Sequence, residues 1–221
     1  MKFIAVSIFF LLISVTGFSQ KSSFGQSDPN AKKILDAVSA KFKTYKGVQA
    51  TFSFKNEDGK GKVLGLKKGV LYMKGNKYRV TITGGQDIFC DGTTIWTYDK
   101  ASNEVTISKY DPSQNTITPQ KLFTNFYDKD FLYKLNGEKK EGGKTIQEIE
   151  LTPYDKSKPF FKVYVMVDKT AQTIVSTKVL EKGGNRYTYA VGSLNGNAQV
   201  NDAQFVFDKK KYPGVEIVDL R

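Results

Sequence analysis

The stretch that decides the fold is residues 69–100, GVLYMKGNKYRVTITGGQDIFCDGTTIWTYDK. Three pairs of turn-forming residues divide it into short segments: Gly75-Asn76, Gly84-Gly85 and Asp91-Gly92. Such pairs favour tight hairpin turns because their residues tolerate a positive φ. Between the turns apolar residues alternate, so that Tyr78, Val80 and Ile82 lie on one side of a strand. The stretch therefore predicts an antiparallel meander with one apolar face.

Similar strand patterns surround this stretch, at residues 48–55, 62–74, 104–108, 145–151, 160–168, 173–180 and 186–191. Gly65 and Gly69 interrupt the second of these strands, and each predicts a bulge or a bend. Phe205 and Phe207 predict the last strand. The connections are too short for parallel crossovers. We therefore expect about ten or eleven strands in a single antiparallel sheet that curls.

Helices are predicted at two places. Asp28-Pro29 has the N-cap and the first-turn proline of a helix start, and Gly47 is the predicted end. The apolar stripe between them comprises Ile34, Leu35, Val38, Phe42 and Tyr45, and we expect it to pack on the sheet. Residues 120–127 predict a short helix in a loop between strands, a position that suits a lid.

The N-terminus has the pattern of a targeting segment. Lys2 precedes a short apolar run at residues 3–15, and the small residues Gly17 and Ser19 follow. This pattern predicts a signal peptide at residues 1–19, because the run is shorter than the roughly 20 residues that span a membrane. We expect residues 20–27 to be a flexible N-terminus and residues 28–221 to form a single exported domain.

The composition argues against catalysis and against bound metal. The chain has no histidine, so the commonest general base and a common metal ligand are missing. Cys90 is the only cysteine, and we interpret it as a small apolar core residue. Asp91 is better explained as the first residue of its turn than as a catalytic acid. We predict no enzyme activity, no metal and no cofactor.

The formal net charge of +12 has two interpretations. It is typical of a solvated basic surface, or it attracts an acidic partner or an anionic membrane surface. Nucleic acid is a poor partner for an exported protein, and we predict no nucleic-acid binding.

Four segments, in order along the chain, resemble the LolA-type outer-membrane lipoprotein carriers. Residues 90–99, CDGTTIWTYD, are similar to the family's S-D-G-K-T-L-W-x-Y-x strand, and residues 74–80, KGNKYRV, to its R-P-x-x-F-x-W element. Thr118-Pro119 with Leu122 and Phe123 resembles its lid helix. Residues 201–207, NDAQFVF, followed by PGV at residues 213–215, resemble its closing segment. The resemblance runs from about residue 28 to the C-terminus.

The resemblance implies a mainly β fold, an incomplete (open) antiparallel β-barrel whose short helices, two or three here, cover a hydrophobic concave face. It also implies a periplasmic carrier that shields the acyl chains of lipoproteins. Its partners would be an inner-membrane transporter and an outer-membrane acceptor. The expected cargo-binding residues are Tyr78, Val80, Ile82, Trp96, Leu122, Phe123 and Phe126.

The lid latch is where this sequence departs from the family. Lys74 occupies the position of the family's latch arginine, and Gly75 that of its proline. Lysine cannot make the bidentate hydrogen bonds of a guanidinium group, so we expect a lid held differently or more loosely.

Two other functions fit the same residues. The second function is that of a carrier or sensor of free lipids or glycolipids that uses the same cavity. A non-catalytic structural β-protein, whose apolar face is all core, is the third possibility. For each of them we expect a monomer.

Overall fold

The computed structural model describes residue 25 and residues 27–111 and 127–221. The signal peptide predicted at residues 1–19 lies outside the described residues, as do Leu122, Phe123 and Phe126 of the predicted lid. Within the described part, the helices are α1 (Pro29–Lys43) and the single turn α2 (Tyr127–Asp130), with two 3-10 turns at Asp202–Phe205 and Lys209–Lys211. No helix in these ranges is long and apolar enough to cross a membrane.

The described chain is mainly β, as predicted, with twelve strands rather than ten or eleven. They are β1 (Val48–Glu57), β2 (Val63–Lys74), β3 (Lys77–Ile82), β4 (Gln86–Cys90), β5 (Thr94–Asp99), β6 (Glu104–Lys109), β7 (Phe131–Glu141), β8 (Lys144–Pro153), β9 (Phe160–Asp168), β10 (Thr173–Glu181), β11 (Arg186–Asn195) and β12 (Glu216–Asp219). All form one sheet, in the order β12-β6-β5-β4-β3-β2-β1-β11-β10-β9-β8-β7. Every pairing is antiparallel except that of β12 with β6. The sheet is an unclosed barrel.

Asp28 fixes the start of α1, as the sequence predicts, and also ties the helix to the sheet. Its Oδ1 accepts a hydrogen bond of 2.8 Å from the backbone N–H of Asn30, which is the N-cap interaction. Its Oδ2 accepts another, of 3.1 Å, from the N–H of Leu135 in β7, and its own N–H donates to the carbonyl of Tyr133. The helix start therefore covers part of the open edge of β7, which protects that edge from pairing with another strand.

The helix ends at Lys43, earlier than Gly47 predicts. The N–H and the hydroxyl of Thr44 both donate to the carbonyl of Lys41, which closes the last turn. Gly47 has a different role, because a Cβ at this position would collide with the carbonyl oxygen of Ala198. The glycine allows a close approach between two chain segments and does not cap the helix.

The sheet has two faces with different covers. The concave face is the side on which α1 lies, where Ala31, Leu35 and Val38 share one core cluster with strand residues as far apart as Met73 and Val165. The convex face is the opposite side. Over β4–β6 it carries a second, smaller cluster around Tyr98, Val105 and Val215.

The C-terminal segment covers that convex cluster, and its structure differs from the predicted strand at Phe205 and Phe207. Asn201 and Gln204 form a capping box that starts a 3-10 turn. This turn buries Phe205 completely, while Phe207 stacks on Tyr212 at a centroid distance of 4.5 Å. A two-residue spacing of aromatic residues is compatible with either structure. The local capping interactions decide between them.

One of the two predicted irregularities in β2 is present. The pairing of β1 with β2 shifts between Asn56 and Glu57, which leaves Leu64, next to Gly65, as the extra residue. Gly69 is in regular register, opposite Phe52 and Ile82. The ring of Phe52 lies across it, so that a Cβ on Gly69 would be 2.5 Å from this ring and 2.5 Å from the carbonyl oxygen of Thr81.

We predict that Gly69→Ala lowers the free energy of unfolding by about 1–3 kcal/mol, because both the ring and a neighbouring strand would have to move. Gly65→Ala is the matched control, since no atom lies within 4 Å of a Cβ there. Its expected effect lies between zero and about 1 kcal/mol of stabilisation. Urea unfolding of both variants measures the difference. Equal effects would contradict the close approach of Phe52.

Candidate ligand-binding face

Three of the predicted cargo residues lie together on the concave face. Tyr78, Val80 and Ile82 alternate along β3, and directly opposed residues of antiparallel strands share a face. Val80 lies opposite Leu71 and Ile88, and Ile82 lies opposite Gly69. Tyr78 is only 5% exposed and belongs to the core cluster, whereas Val80 and Ile82 are half-buried. Val80 and Ile82 are therefore the more accessible part of this strip.

Trp96 lies on the opposite face from these three. In the register it is opposite Phe89 and Ile107, and it packs against the convex cluster below the C-terminal segment. In β5 it is Ile95 that shares the concave face with Tyr78, because Cys90 lies opposite both residues. Counting residues from the Asp91-Gly92 turn would have identified Ile95.

The apolar strip continues across the sheet onto strands that sequence reasoning had not assigned to the site. Through Gly69 it reaches Phe52, and Phe54 follows on the same face. Phe54 lies opposite Tyr189 and stacks on Tyr187 at a centroid distance of 5.6 Å. These aromatic side chains are half-buried. The signal was present as aromatic residues two apart on neighbouring strands.

A groove of about 500 Å³ opens at this end of the strip. Its apolar wall includes Phe54, Phe160, Val179, Tyr187 and Tyr189, and its polar wall includes Asp155, Ser157 and Glu181. Burial raises the pKa of Tyr189, so its hydroxyl stays neutral at physiological pH. The volume lies within the range of small-molecule binding sites.

Tyr78 and Cys90 close the bottom of the concave face. Burial raises the pKa of the Cys90 thiol and of the Tyr78 hydroxyl, and the two side chains are hydrogen-bonded to each other. Both groups are therefore neutral. A buried neutral thiol behaves as a small apolar residue, which agrees with the interpretation of Cys90 from the sequence.

Asp91 also has the turn role that the sequence predicts. Its Oδ1 accepts hydrogen bonds of 2.8 Å from the N–H groups of Thr93 and Thr94 and from the Thr93 hydroxyl. Burial opposes ionisation, but these hydrogen bonds prevail and lower the pKa of the carboxyl. No cluster of three metal-binding side chains occurs within residues 27–111 and 127–221.

Lys74, the predicted lid latch, pairs with the C-terminal segment. Its Nζ is 2.8 Å from Oδ1 of Asp202, and the Nζ of Lys77 is 2.7 Å from Oδ2 of the same carboxylate. The two lysines flank the β2–β3 turn, so the ion pairs fasten the first 3-10 turn to it. A latch function for Lys74 stays a prediction, because the lid residues lie outside the described part of the chain.

The described part of this chain is an open β-barrel with an apolar groove. This architecture is typical of one class of ligand-binding proteins. The model of the family "Outer membrane lipoprotein carrier protein LolA" matches residues 43–208. The chain belongs to this family, as the sequence motifs indicate. No curated protein matches the chain significantly.

Two of the similar solved structures, with TM-scores of 0.58 and 0.50, show the same fold at low sequence identity. An uncharacterized conserved protein from Thermus thermophilus is 15% identical with a TM-score of 0.58, over 86% of this chain and 99% of that one. The lipoprotein LppX of Mycobacterium tuberculosis is 13% identical with a TM-score of 0.50, over 79% and 100%. A LolA superfamily protein from Nitrosomonas europaea is 15% identical with a TM-score of 0.43, over 80% and 97%.

The ion pairs of Asp202 predict a pH-dependent stability. Hydrogen bonds from Lys74 and then Lys77 lower the pKa of this carboxyl from 3.8 to about 2. A group whose pKa is lowered by folding stabilises the folded state above its ordinary pKa, and this contribution is lost as the pH falls through the folded-state value. Wild type should therefore exceed Asp202→Asn in stability at neutral pH.

We expect this difference to stay constant down to about pH 4.5 and to shrink between about pH 4 and 2. Urea unfolding at a series of pH values measures the difference, and NMR titration of the Asp202 carboxyl carbon measures its pKa directly. A carboxyl that titrates at its ordinary value would contradict the ion pairs.

Proposed function

We propose that this chain is a periplasmic carrier that shields the acyl chains of lipoproteins on its concave face and ferries them from the inner to the outer membrane. The observation that carries the proposal is the half-buried apolar strip that runs from Val80 and Ile82 past Phe52 and Phe54 into the groove. Membership of the LolA family supports the same function.

Such a carrier has to offset a large free energy, because acyl chains are unfavourable in water. Each CH₂ of an acyl chain that leaves a membrane for water costs about 0.8 kcal/mol. Side chains that are already half-buried, such as Ile82 and Tyr189, offer apolar contact to a ligand without opening the core. Leu35 and Tyr78 keep the fold intact beneath them, because they are almost fully buried.

Several parts of the proposal go beyond what membership of the family establishes. The predicted signal peptide would direct the chain to the periplasm, where it would act as a monomer. An inner-membrane transporter would load the groove and an outer-membrane acceptor would empty it. We propose no catalytic step, since holding and releasing an acyl chain requires none.

The decisive variant is Ile82→Glu, because it places a carboxylate in the apolar strip without disturbing a fully buried residue. We expect acyl-chain occupancy to fall at least about tenfold, since a charge buried without a partner costs well over 1.4 kcal/mol. Tyr78→Glu is a poorer test because Tyr78 is in the core, and its replacement would unfold the protein.

Val70→Glu is the matched control. Val70 is also half-buried, but its side chain lies on the convex face, because it directly follows Gly69, which lies on the concave face. Mass spectrometry of the purified native protein and of its organic extracts measures the occupancy and identifies the ligand. Lipid without a peptide would favour the carrier or sensor of free lipids. Equal occupancy in both variants would refute the proposed face. Failure of the native protein to bind a hydrophobic dye would favour a structural β-protein.

A further inference from the structure

Three loops at one end of the sheet, each taken with the strand ends next to it, form a continuous surface beside the groove. We call this surface the mouth rim, and it comprises residues 58–68, 153–161 and 181–186. The loops are joined by direct hydrogen bonds. The guanidinium group of Arg186 donates to the carbonyl of Gly59 at 2.6 Å. The backbone N–H of Lys182 donates to the carbonyl of Pro159, and its Nζ donates to that of Lys156.

The groove opens beside two of the three loops of the mouth rim. Six of its wall residues belong to the rim, namely Asp155, Ser157, Lys158, Pro159, Phe160 and Glu181, and Tyr187 follows directly after it. Any surface that contacts the rim is therefore adjacent to the opening of the groove.

The mouth rim exposes large apolar side chains, which is unusual on a surface that faces only water. Five of them are about half exposed or more: Val63 at 52%, Leu64 at 54%, Leu66 at 61%, Tyr154 at 54% and Phe161 at 47%. They come from two of the three loops, which are separated by nearly ninety residues of sequence. The folded sheet brings them to the same end.

Lysines surround these apolar side chains. The mouth rim contains Lys60, Lys62, Lys67, Lys68, Lys156, Lys158 and Lys182. Its acidic side chains are fewer, and two of them are engaged locally. Asp58 accepts hydrogen bonds from the backbone N–H groups of Lys60 and Lys62, and Asp155 accepts two from Ser157. The rim therefore carries a net positive charge.

Strand addition by a protein partner fits this surface poorly. β2 pairs with β3 only from Gly69 onward, so residues 63–67 have an open edge among the described strands. That edge carries the bulge at Leu64 and is flanked by lysines, and both features hinder the docking of another strand. Exposed apolar side chains between lysines instead match the interface of an anionic membrane.

We propose that the mouth rim docks on an anionic lipid bilayer. Leu64 and Leu66 enter the headgroup layer, and the lysines contact lipid phosphates. Docking in this orientation turns the opening of the groove toward the acyl chains of the membrane. The docking itself stands on the rim, whereas its use in cargo transfer rests on the proposed carrier function.

Flotation of the purified protein with lipid vesicles tests the proposal. We expect binding to vesicles of phosphatidylcholine with phosphatidylglycerol, and little binding to phosphatidylcholine alone. Raising the NaCl concentration from about 0.05 to about 0.5 M should weaken the binding several-fold, because the charges are exposed and screened. No binding to anionic vesicles, or equal binding to both compositions, would overturn the proposal.

Two pairs of variants separate the apolar and the electrostatic contributions. Leu64→Ser with Leu66→Ser should reduce vesicle binding at least about tenfold, and Leu220→Ser, which alters an exposed leucine outside the rim, should not. Lys67→Gln with Lys68→Gln should reduce binding about tenfold or more. Lys209→Gln with Lys210→Gln, at exposed positions in the C-terminal segment, is its control. Equal losses within either pair would refute the rim as the docking surface.

Loading of a fluorescent fatty acid into the groove distinguishes this proposal from the carrier function. Rim variants should load normally while they fail to bind vesicles. Loading without vesicle binding by the wild type would overturn only the docking proposal. Vesicle binding without loading would overturn only the carrier function.

Discussion

Among the described residues, one helix of 15 residues, α1, covers the concave face of a twelve-stranded sheet. Such a helix is about 22 Å long, whereas twelve strands extend over about 50 Å along the curve of the sheet. The helix therefore buries the centre of the face through Leu35 and Val38 and leaves the surface near Ile82 and Phe54 half-buried. Within the described part of the chain, α1 is too short to cover the whole face, and the groove lies on the part that it leaves uncovered.

The convex face has the opposite character. Over β4–β6 the C-terminal segment covers it with stacked aromatic rings, and the Arg79 guanidinium lies 4.7 Å from the centre of the Phe89 ring. Asp87 is buried there. The Nζ of Lys100 lies 2.7 Å from the Oδ1 of Asp87, and the two form an ion pair without the alignment of a hydrogen bond. Trp96 belongs to this covered side. A stable convex side would allow the concave side to exchange the proposed ligand without loss of the fold.

Local sequence signals were sufficient for most of the elements and for the family, but not for the surfaces. The N-cap at Asp28 and the turn at Asp91 depend on residues close in sequence, and both are present as predicted. The face of Trp96 depends on how β5 pairs with β4 across the Asp91-Gly92 turn, which alternation within one strand does not determine. The 3-10 turn at Phe205 depends on a cap that the aromatic spacing conceals. The mouth rim arises only when three distant loops meet.

The position of the mouth rim bears on a kinetic problem that any acyl-chain carrier faces. At about 0.8 kcal/mol per CH₂, moving a chain of about 16 carbons through water would add about 13 kcal/mol to the transfer barrier. A groove that opens away from the membrane would incur this cost at each loading and each release. Because Leu64, Leu66 and Phe161 lie at the end of the sheet where the groove opens, a docked rim would keep the chain in apolar surroundings throughout. The lysines would hold the carrier reversibly, since exposed charge pairs are weak and screened by salt. Release from the membrane would then cost little compared with release of the chain.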